Sequence, residues 1–227
     1  MSYEEHYLTP LFEPQSIAII GASESPGSIG LTMVRNMLDA DYKGQLFLVN
    51  PKHKTVFGLR SYASAEALPQ RVDLAVVCTK TSTVPAVIES CGKAGTRNAI
   101  VLYGGFSESG SKGAALEQEV LKIARRYRVR ILGPDSLGIM RPNRGINLSY
   151  VNGSAKPGSI GLVSQSGACA QPLWIGHCRT ISVFPASFLW ARPATWTLAK
   201  CWTTWFPIPK QKIFSSTSRP SRMRAAS

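Results

Sequence analysis

The sequence predicts an α/β fold: a doubly wound parallel sheet, then the start of a second α/β unit, then an irregular tail. Three observations carry that prediction. Short apolar runs rich in Ile, Val and Leu recur between segments of helical periodicity over residues 14–135. These runs are continuous and do not alternate with polar residues, as expected of strands covered on both faces. The first of them ends in a glycine-rich turn that opens a helix, so strand, loop and helix follow one another in the order of a βα unit.

Each element has its own signal. SIAIIG (16–21) reads as the first strand, and SIGLTMVRNMLDA (28–40) as a helix with Ile29, Met33, Met37 and Leu38 near one face. QLFLVNP (45–51) is a second strand stopped by Pro51, and LAVVC (74–78) a third. The helix VPAVIESCGKAG (84–95) follows, with Gly95 where a C-terminal cap glycine belongs. NAIVLYG (98–104) is a fourth strand. GAALEQEVLKIARRY (113–127) is a helix with Leu116, Val120 and Ile123 in register, and VRILG (129–133) a fifth strand. The Pro/Gly-rich stretch NGSAKPGS (152–159) marks a boundary, so the first domain spans 10–150 and a fresh strand-to-helix signal, GSIGLVSQSG, places the start of the second at 158–168.

Composition narrows the function classes. The chain has 227 residues with 26 Lys and Arg against 13 Asp and Glu, a net charge of +13. It has no apolar run of membrane-spanning length and no basic, apolar leader at its N-terminus, so a cytoplasmic protein with no membrane partner is expected. The five cysteines form no C-x-x-C pair, which disfavours a zinc site or a disulfide framework and leaves reduced thiols. His6, His53 and His177 are scattered, and no metal site is expected.

In a doubly wound sheet ligands sit at the carboxyl ends of the strands, so the strand-terminal loops hold the candidates. The first, GASESPGSIG, carries Gly21, Gly27 and Gly30 with Ser23, Ser25 and Ser28. Glycines let a backbone approach phosphate, and amides opening a helix favour an anion. Packing alone is the competing reading, because the spacing is not a strict G-x-G-x-x-G. The second loop is Asn50-Pro51-Lys52-His53-Lys54. An NAD site wants an acid there for the ribose diol, whereas bases fit an additional phosphate. The third offers Cys78, Thr79 and Lys80, with Cys78 a packed thiol more than a nucleophile. The fifth, Gly133-Pro134-Asp135, either lines the same crevice or only breaks the chain. Ser164, Ser166 and Gly167 lack the preceding glycine of a hydrolase elbow, which disfavours a serine nucleophile and leaves a phosphate role. No catalytic residue is assigned.

At these residues a resemblance becomes specific. LFEPQSIAIIGAS, PGSIG, VNPKH, VDLAVVCT, GGFSE, ILGPDSLG and GSIGLVSQSGA occur in the order seen in NDP-forming acyl-CoA synthetases, which are similar to succinyl-CoA ligase α subunits. Residues 10–168 most resemble the version in bacterial Pat-type protein lysine acetyltransferases, where this region is fused to a GNAT domain. The resemblance implies a Rossmann-like CoA-binding domain followed by a flavodoxin-like ligase domain. It implies CoA or acetyl-CoA as ligand, with ATP used only in the intact parent, and association with an ATP-grasp region or subunit there. By position, Gly21, Ala22, Ser23, Gly27, Ser28, Ile29 and Gly30 would hold CoA phosphates. Asn50, Pro51, Lys52, Cys78 and Thr79 would flank the nucleotide, and Gly133, Pro134 and Asp135 would approach the pantetheine arm. Ser164, Ser166 and Gly167 would meet the phosphate-handling region. Asp135 replaces a usual Asn and Lys80 a usual Pro. The phosphorylatable His, the ATP-grasp region and the GNAT region have no counterpart here, so the chain is expected to bind CoA esters without turning over alone. An NAD(P)-binding module or oxidoreductase is the alternative. A nucleic-acid binder ranks last, since the basic residues lack a clustered footprint.

The tail, 169–227, breaks this pattern. It holds all five Trp and six Pro, with eight bases and no acid. Trp has one codon, and a one-base slip turns every Trp into an aliphatic residue. Restoring one base near Ala168, with synonymous codons chosen freely, gives a segment in which acids return and the family's second domain is resembled. The tail is therefore expected to be out of frame and irregular. Nucleotide sequencing across codons 165–175 should reveal a neighbouring frame that encodes such a segment; a neighbouring frame without that similarity contradicts this reading.

Overall fold

A computed structural model describes residues 8–150 and 153–157, together with the backbone of two strands at 160–164 and 212–216. A short helix α1 (Thr9–Phe12) leads into β1 (Ser16–Ile20), α2 (Ile29–Asp39) and β2 (Gln45–Val49). A two-strand arm follows, β3 (Thr55–Val56) and β4 (Leu59–Tyr62). Then come β5 (Leu74–Val77), α3 (Val84–Lys93), β6 (Asn98–Val101), α4 (Ser111–Tyr127) and β7 (Arg130–Leu132). A hairpin, β8 (Gly138–Arg141) and β9 (Ile146–Ser149), ends this unit.

Seven strands form one sheet in the order β3-β4-β2-β1-β5-β6-β7, parallel except for β3 against β4. The chain winds outward from β1 through β2, then returns to place β5 on the other side of β1. The reversal leaves a switch point between β1 and β5, which is where such sheets open a crevice.

The strands are buried on both faces, which is why they read as unbroken apolar runs. Ile17, Ile19, Leu74, Val76, Ile100 and Leu132 face one core with Met33, Val34 and Met37 of α2 and Ile139, Ile146 and Leu148 of the hairpin. The intervening residues Ile20, Ala75, Val77, Ala99, Val101 and Ile131 face the other, with Val84 and Ile88 of α3 and Val120 and Ala124 of α4. Each fully buried aliphatic side chain contributes roughly 1.5–3 kcal/mol.

The hairpin takes the place of a further crossover helix on the α2 face, and the sequence reading did not foresee it. It is fastened by buried Asn36, whose Nδ2 donates to Ser149 O at 2.8 Å. Arg141 and Arg144 also reach Glu13, at 2.9 and 2.6 Å. The arm was missed as well. Its two-residue loop is Phe57-Gly58, with φ of 51° and 72°, the pattern of a type I′ turn. A phenylalanine in the left-handed region is unusual there, costs on the order of 1–3 kcal/mol, and persists only where its surroundings fix it.

Several expected boundaries shift. The second and fourth strands end at Val49 and Val101, because their last residues turn into loops. Leu38 leaves the buried face of α2; it is 46% exposed, while Leu31, Met33, Val34 and Met37 are buried. Gly95 has φ of 84° and donates to Gly92 O, closing α3 just beyond Ala94 as a cap glycine does.

Beyond the hairpin, β10 (Ile160–Ser164) begins where the second unit was expected and pairs in parallel with β11 (Lys212–Ser216). The tail was expected to be irregular throughout; KIFSS departs from that, its Ile-Phe pair being a strand former. The rest of 169–227, and Ser166 and Gly167, lie outside the described residues. Among the described residues no helix is long and apolar enough to cross a membrane, and no His, Cys, Asp and Glu group could hold a metal.

The two faces of α2 give a direct test. Met37→Ala should destabilise the protein by about 2–5 kcal/mol and Leu38→Ala by no more than about 0.5 kcal/mol in denaturant unfolding; equal losses would contradict the assigned faces.

Candidate functional site at the carboxyl ends of the central strands

The glycine loop is built around two missing side chains. Gly21 ends β1 at φ 89°, and a Cβ there would sit 2.8 Å from Cys78 O and 2.9 Å from Thr79 Cγ2. A Cβ on Gly30 would collide with Gly21 O. Both glycines are therefore demanded by close approach: the start of α2 lies against the end of β1, and the end of β1 lies against the turn after β5. Gly21 N and Ala22 N donate to Val49 O at 2.8 and 3.3 Å, which draws the end of β2 into the same place.

Between these glycines the serines shape the loop. Ser23 Oγ accepts from Ser25 N at 3.0 Å, and Ser28 Oγ donates to Ser25 O at 2.8 Å. Ser28 is the N-cap of α2, its Oγ accepting from Leu31 N at 3.2 Å. Ile29 and Gly30 occupy the first turn, where amides have no intrahelical acceptor. Gly27 has φ of 76°, and a Cβ on it would meet nothing within 4 Å. The loop thus presents an open backbone face beside a helix N-terminus, a suitable cradle for a phosphate.

Asn50 is held within the protein. Its Nδ2 donates to Ala22 O at 2.7 Å and its Oδ1 accepts from Lys52 N at 2.8 Å, so both ends of the amide are engaged within the protein. It staples the second loop to the first. Pro51, Lys52, His53 and Lys54 follow as an exposed run.

Cys78 contributes its backbone alone. Its N–H donates to Ile20 O at 2.8 Å, while the thiol is buried in the α2-side core and pushed above its ordinary pKa by burial. That matches a packed thiol. Cys91 is likewise buried, its pKa pushed up to about 12. Thr79 Oγ1 is a buried hydroxyl without a hydrogen-bond partner, next to Gly21.

Gly133, Pro134 and Asp135 follow β7, two strands along the sheet from β5. Gly133 and Pro134 are buried, Asp135 N donates to Tyr103 O at 3.1 Å, and Asp135 Oδ1 is 3.2 Å from where a Gly104 Cβ would be. Thr81 connects this mouth to the Cys78-Thr79 turn, its Oγ1 donating to Gly104 O at 2.5 Å. Glu108 takes the amides of Gly105 and Phe106, the latter at 3.1 Å. Of the remaining expected residues, Ser164 closes β10.

The sequence reading missed Glu24, Thr81 and Glu108. Glu108 had a readable signal, an acid three residues after Gly105 within GGFSE. Thr81 and Glu24 bond across loops, which spacing does not reveal. A separate polar cleft, lined by Glu13, Tyr42, Arg144 and Gly145 among others, lies at the amino ends of β1 and β2, away from the switch point.

Comparison with known proteins settles the family. The profile described as "CoA binding domain" matches residues 15–142, the whole sheet and the start of the hairpin. The chain belongs to the CoA-binding domain family.

The chain is 36% identical over 188 residues to "Acetate--CoA ligase [ADP-forming]" of Methanocaldococcus jannaschii, covering 80% of the chain and 26% of that protein. It is 36% identical over 165 residues to "Acetate--CoA ligase [ADP-forming] I subunit alpha" of Pyrococcus furiosus, covering 71% of the chain and 36% of that subunit. A solved structure of Ca. Korarchaeum cryptofilum dinucleotide forming acetyl-coenzyme A synthetase 1, in complex with phosphate and ADP, superposes with a TM-score of 0.86 at 30% identity. That superposition covers 95% of the chain and 47% of the other. The chain thus spans about a quarter to a third of the length of these curated relatives. Its fold is the Rossmann-like α/β arrangement of those synthetases, and the expected ligand class includes CoA, the ligand by which its family is described.

Proposed function

We propose that the chain is a CoA- or acyl-CoA-binding unit of an ADP-forming acetyl-CoA synthetase type, holding the CoA diphosphate at Gly21–Gly30 and the ribose 3′-phosphate beside Lys52. One observation carries this reading. The glycine cradle lies at the switch point, and the loop stapled to it through Asn50 offers cations and no acid.

A diphosphate suits open amides and the helix dipole, and a 3′-phosphate suits an ammonium. A diol-reading carboxylate would be needed for NAD, and the sequence has no acid between Asp41 and Glu66. CoA, when bound, supplies the thiol on which acyl groups are carried. What this chain's residues do is bind and orient: Gly27 leaves room for phosphate, Ser28 fixes the first turn of α2, and the Gly104–Asp135 mouth lies where the pantetheine arm would leave the crevice. None of the described residues is assigned an acyl-transfer step.

The family names of the relatives and the ordered motifs support a parent ligase in which an ATP-grasp region or subunit completes the reaction. The finer reading, a parent of the acetyltransferase-fused kind with residues 169–227 out of frame, rests on the motif resemblance and on the tail's lack of acids. On the same reading the boundary lies near 152–159, with the flavodoxin-like domain opening at β10.

Calorimetry on the full chain tests ligand choice. CoA should bind more tightly than NAD, and Lys52→Ala should cost about 1.5–3 kcal/mol for CoA but much less for dephospho-CoA. Equal losses for both would remove Lys52 from the 3′-phosphate site, and preference for NAD would overturn the proposal.

A further inference from the structure

An acid sits inside the proposed phosphate cradle. Glu24 lies between Ser23 and Ser25, on the loop that would receive a polyanion, where a free carboxylate would repel the ligand. Its carboxylate points elsewhere: Oε1 accepts the N–H of Phe57 at 2.5 Å, across 33 residues of sequence. A charge-assisted bond of this kind is stronger than a neutral one.

Phe57 is the other half of the observation. It is the non-glycine residue held in the left-handed region at the tip of the β3–β4 arm, φ 51°. Two groups fix it there, the Glu24 carboxylate on its N–H and the Arg35 guanidinium from α2, 5.8 Å from its ring centroid. Such a residue persists where its surroundings over-determine it, and such places cluster at ligand clamps.

Two staples therefore join the glycine loop to the segment after β2. Asn50 to Ala22 is the first, Glu24 to Phe57 the second, and Lys52, His53 and Lys54 lie within the six residues between Asn50 and Phe57. A third bond holds the far end of that run to the arm, Ser61 N donating to Lys54 O at 2.9 Å. The first staple and this bond hold the two ends of the run, and the second fixes the tip of the arm that carries it against the glycine loop.

We propose that Glu24 is a positioning residue for the 3′-phosphate of CoA: by anchoring Phe57 it holds the Lys52–Lys54 run in register with the glycine loop, and so sets the preference for CoA over dephospho-CoA. This rests on the CoA reading. Glu24 touches no phosphate itself; it acts through the arm, and turning its charge to the Phe57 amide is what makes an acid tolerable on this loop. Preorganising cations in this way raises selectivity by reducing the ordering required on binding.

Calorimetric titration of the full chain with CoA and with dephospho-CoA tests it, comparing the wild type, Glu24→Ala and Glu24→Gln. Glu24 is exposed, and thermal unfolding checks that each variant is folded. Glu24→Ala should lower the CoA preference roughly three- to tenfold, almost wholly through weaker CoA binding, with the dephospho-CoA Kd moving less than about twofold. Glu24→Gln keeps an amide oxygen for the Phe57 N–H and should keep the preference within about twofold of wild type. A preference unchanged in Glu24→Ala overturns the positioning role, as does tighter binding of both ligands in both variants, which would make Glu24 a simple repulsive charge. A wild type that binds the two ligands equally overturns the CoA 3′-phosphate reading itself, and is distinguishable because it precedes any variant.

Discussion

The site depends on backbone packed where side chains are missing. Gly21 O occupies the space of a Gly30 Cβ, and Cys78 O and Thr79 Cγ2 crowd the space of a Gly21 Cβ. Through these contacts the end of β1, the start of α2 and the turn after β5 converge on one point. The switch in winding direction supplies the crevice, and the glycines bring amides to its floor. Adding a methyl group at either position would push α2 or β5 away from β1. The site would then open from its base, whatever happened to the loops above it.

Around this point the protein uses polar side chains as internal fasteners. Asn50 ties β2 to the glycine loop, Ser28 caps α2, Thr81 ties the β5 turn to the β6 loop, and Glu24 ties the glycine loop to the arm. Each hydrogen bond contributes only about 0.5–1.5 kcal/mol net, or about twice that when one partner is charged. Their effect is chiefly geometric: they leave the loops between them with few arrangements. The cations at 52–54 are carried on such a loop, so in the proposed site selectivity for an extra phosphate rests on fasteners that do not themselves touch it.

Much of this was legible in the sequence, for identifiable reasons. Ile17, Ile19, Val76 and Ile100 announced central parallel strands because strands buried on both faces have no polar residues to interrupt them. Gly21 and Gly30 announced the cradle because few residues other than glycine allow such contact. What stayed hidden depends on distant pairing. The two-residue strand β3 is too short to show a period, and the β8–β9 hairpin lies where a turn and a chain break look alike. Leu38 was placed on the buried face by spacing, but the stripe facing the sheet runs through Val34 and Met37 and leaves it outside. The position of Asn50 at a strand end is legible in the sequence, but its two hydrogen bonds, one of them to Ala22 across 28 residues, are not. Glu24 could not be found from sequence, since its partner is 33 residues away.

The most direct test of the central claim, that CoA binds at the β1–β5 switch point, is the backbone amide spectrum of the protein during titration with CoA. The largest shift changes should fall on Gly21–Gly30, Asn50–Lys54 and Cys78–Thr81, with the amides of Tyr42, Arg144 and Gly145 at the opposite end of the sheet unmoved. Shifts confined to that opposite cleft, or none at saturating CoA, would contradict it.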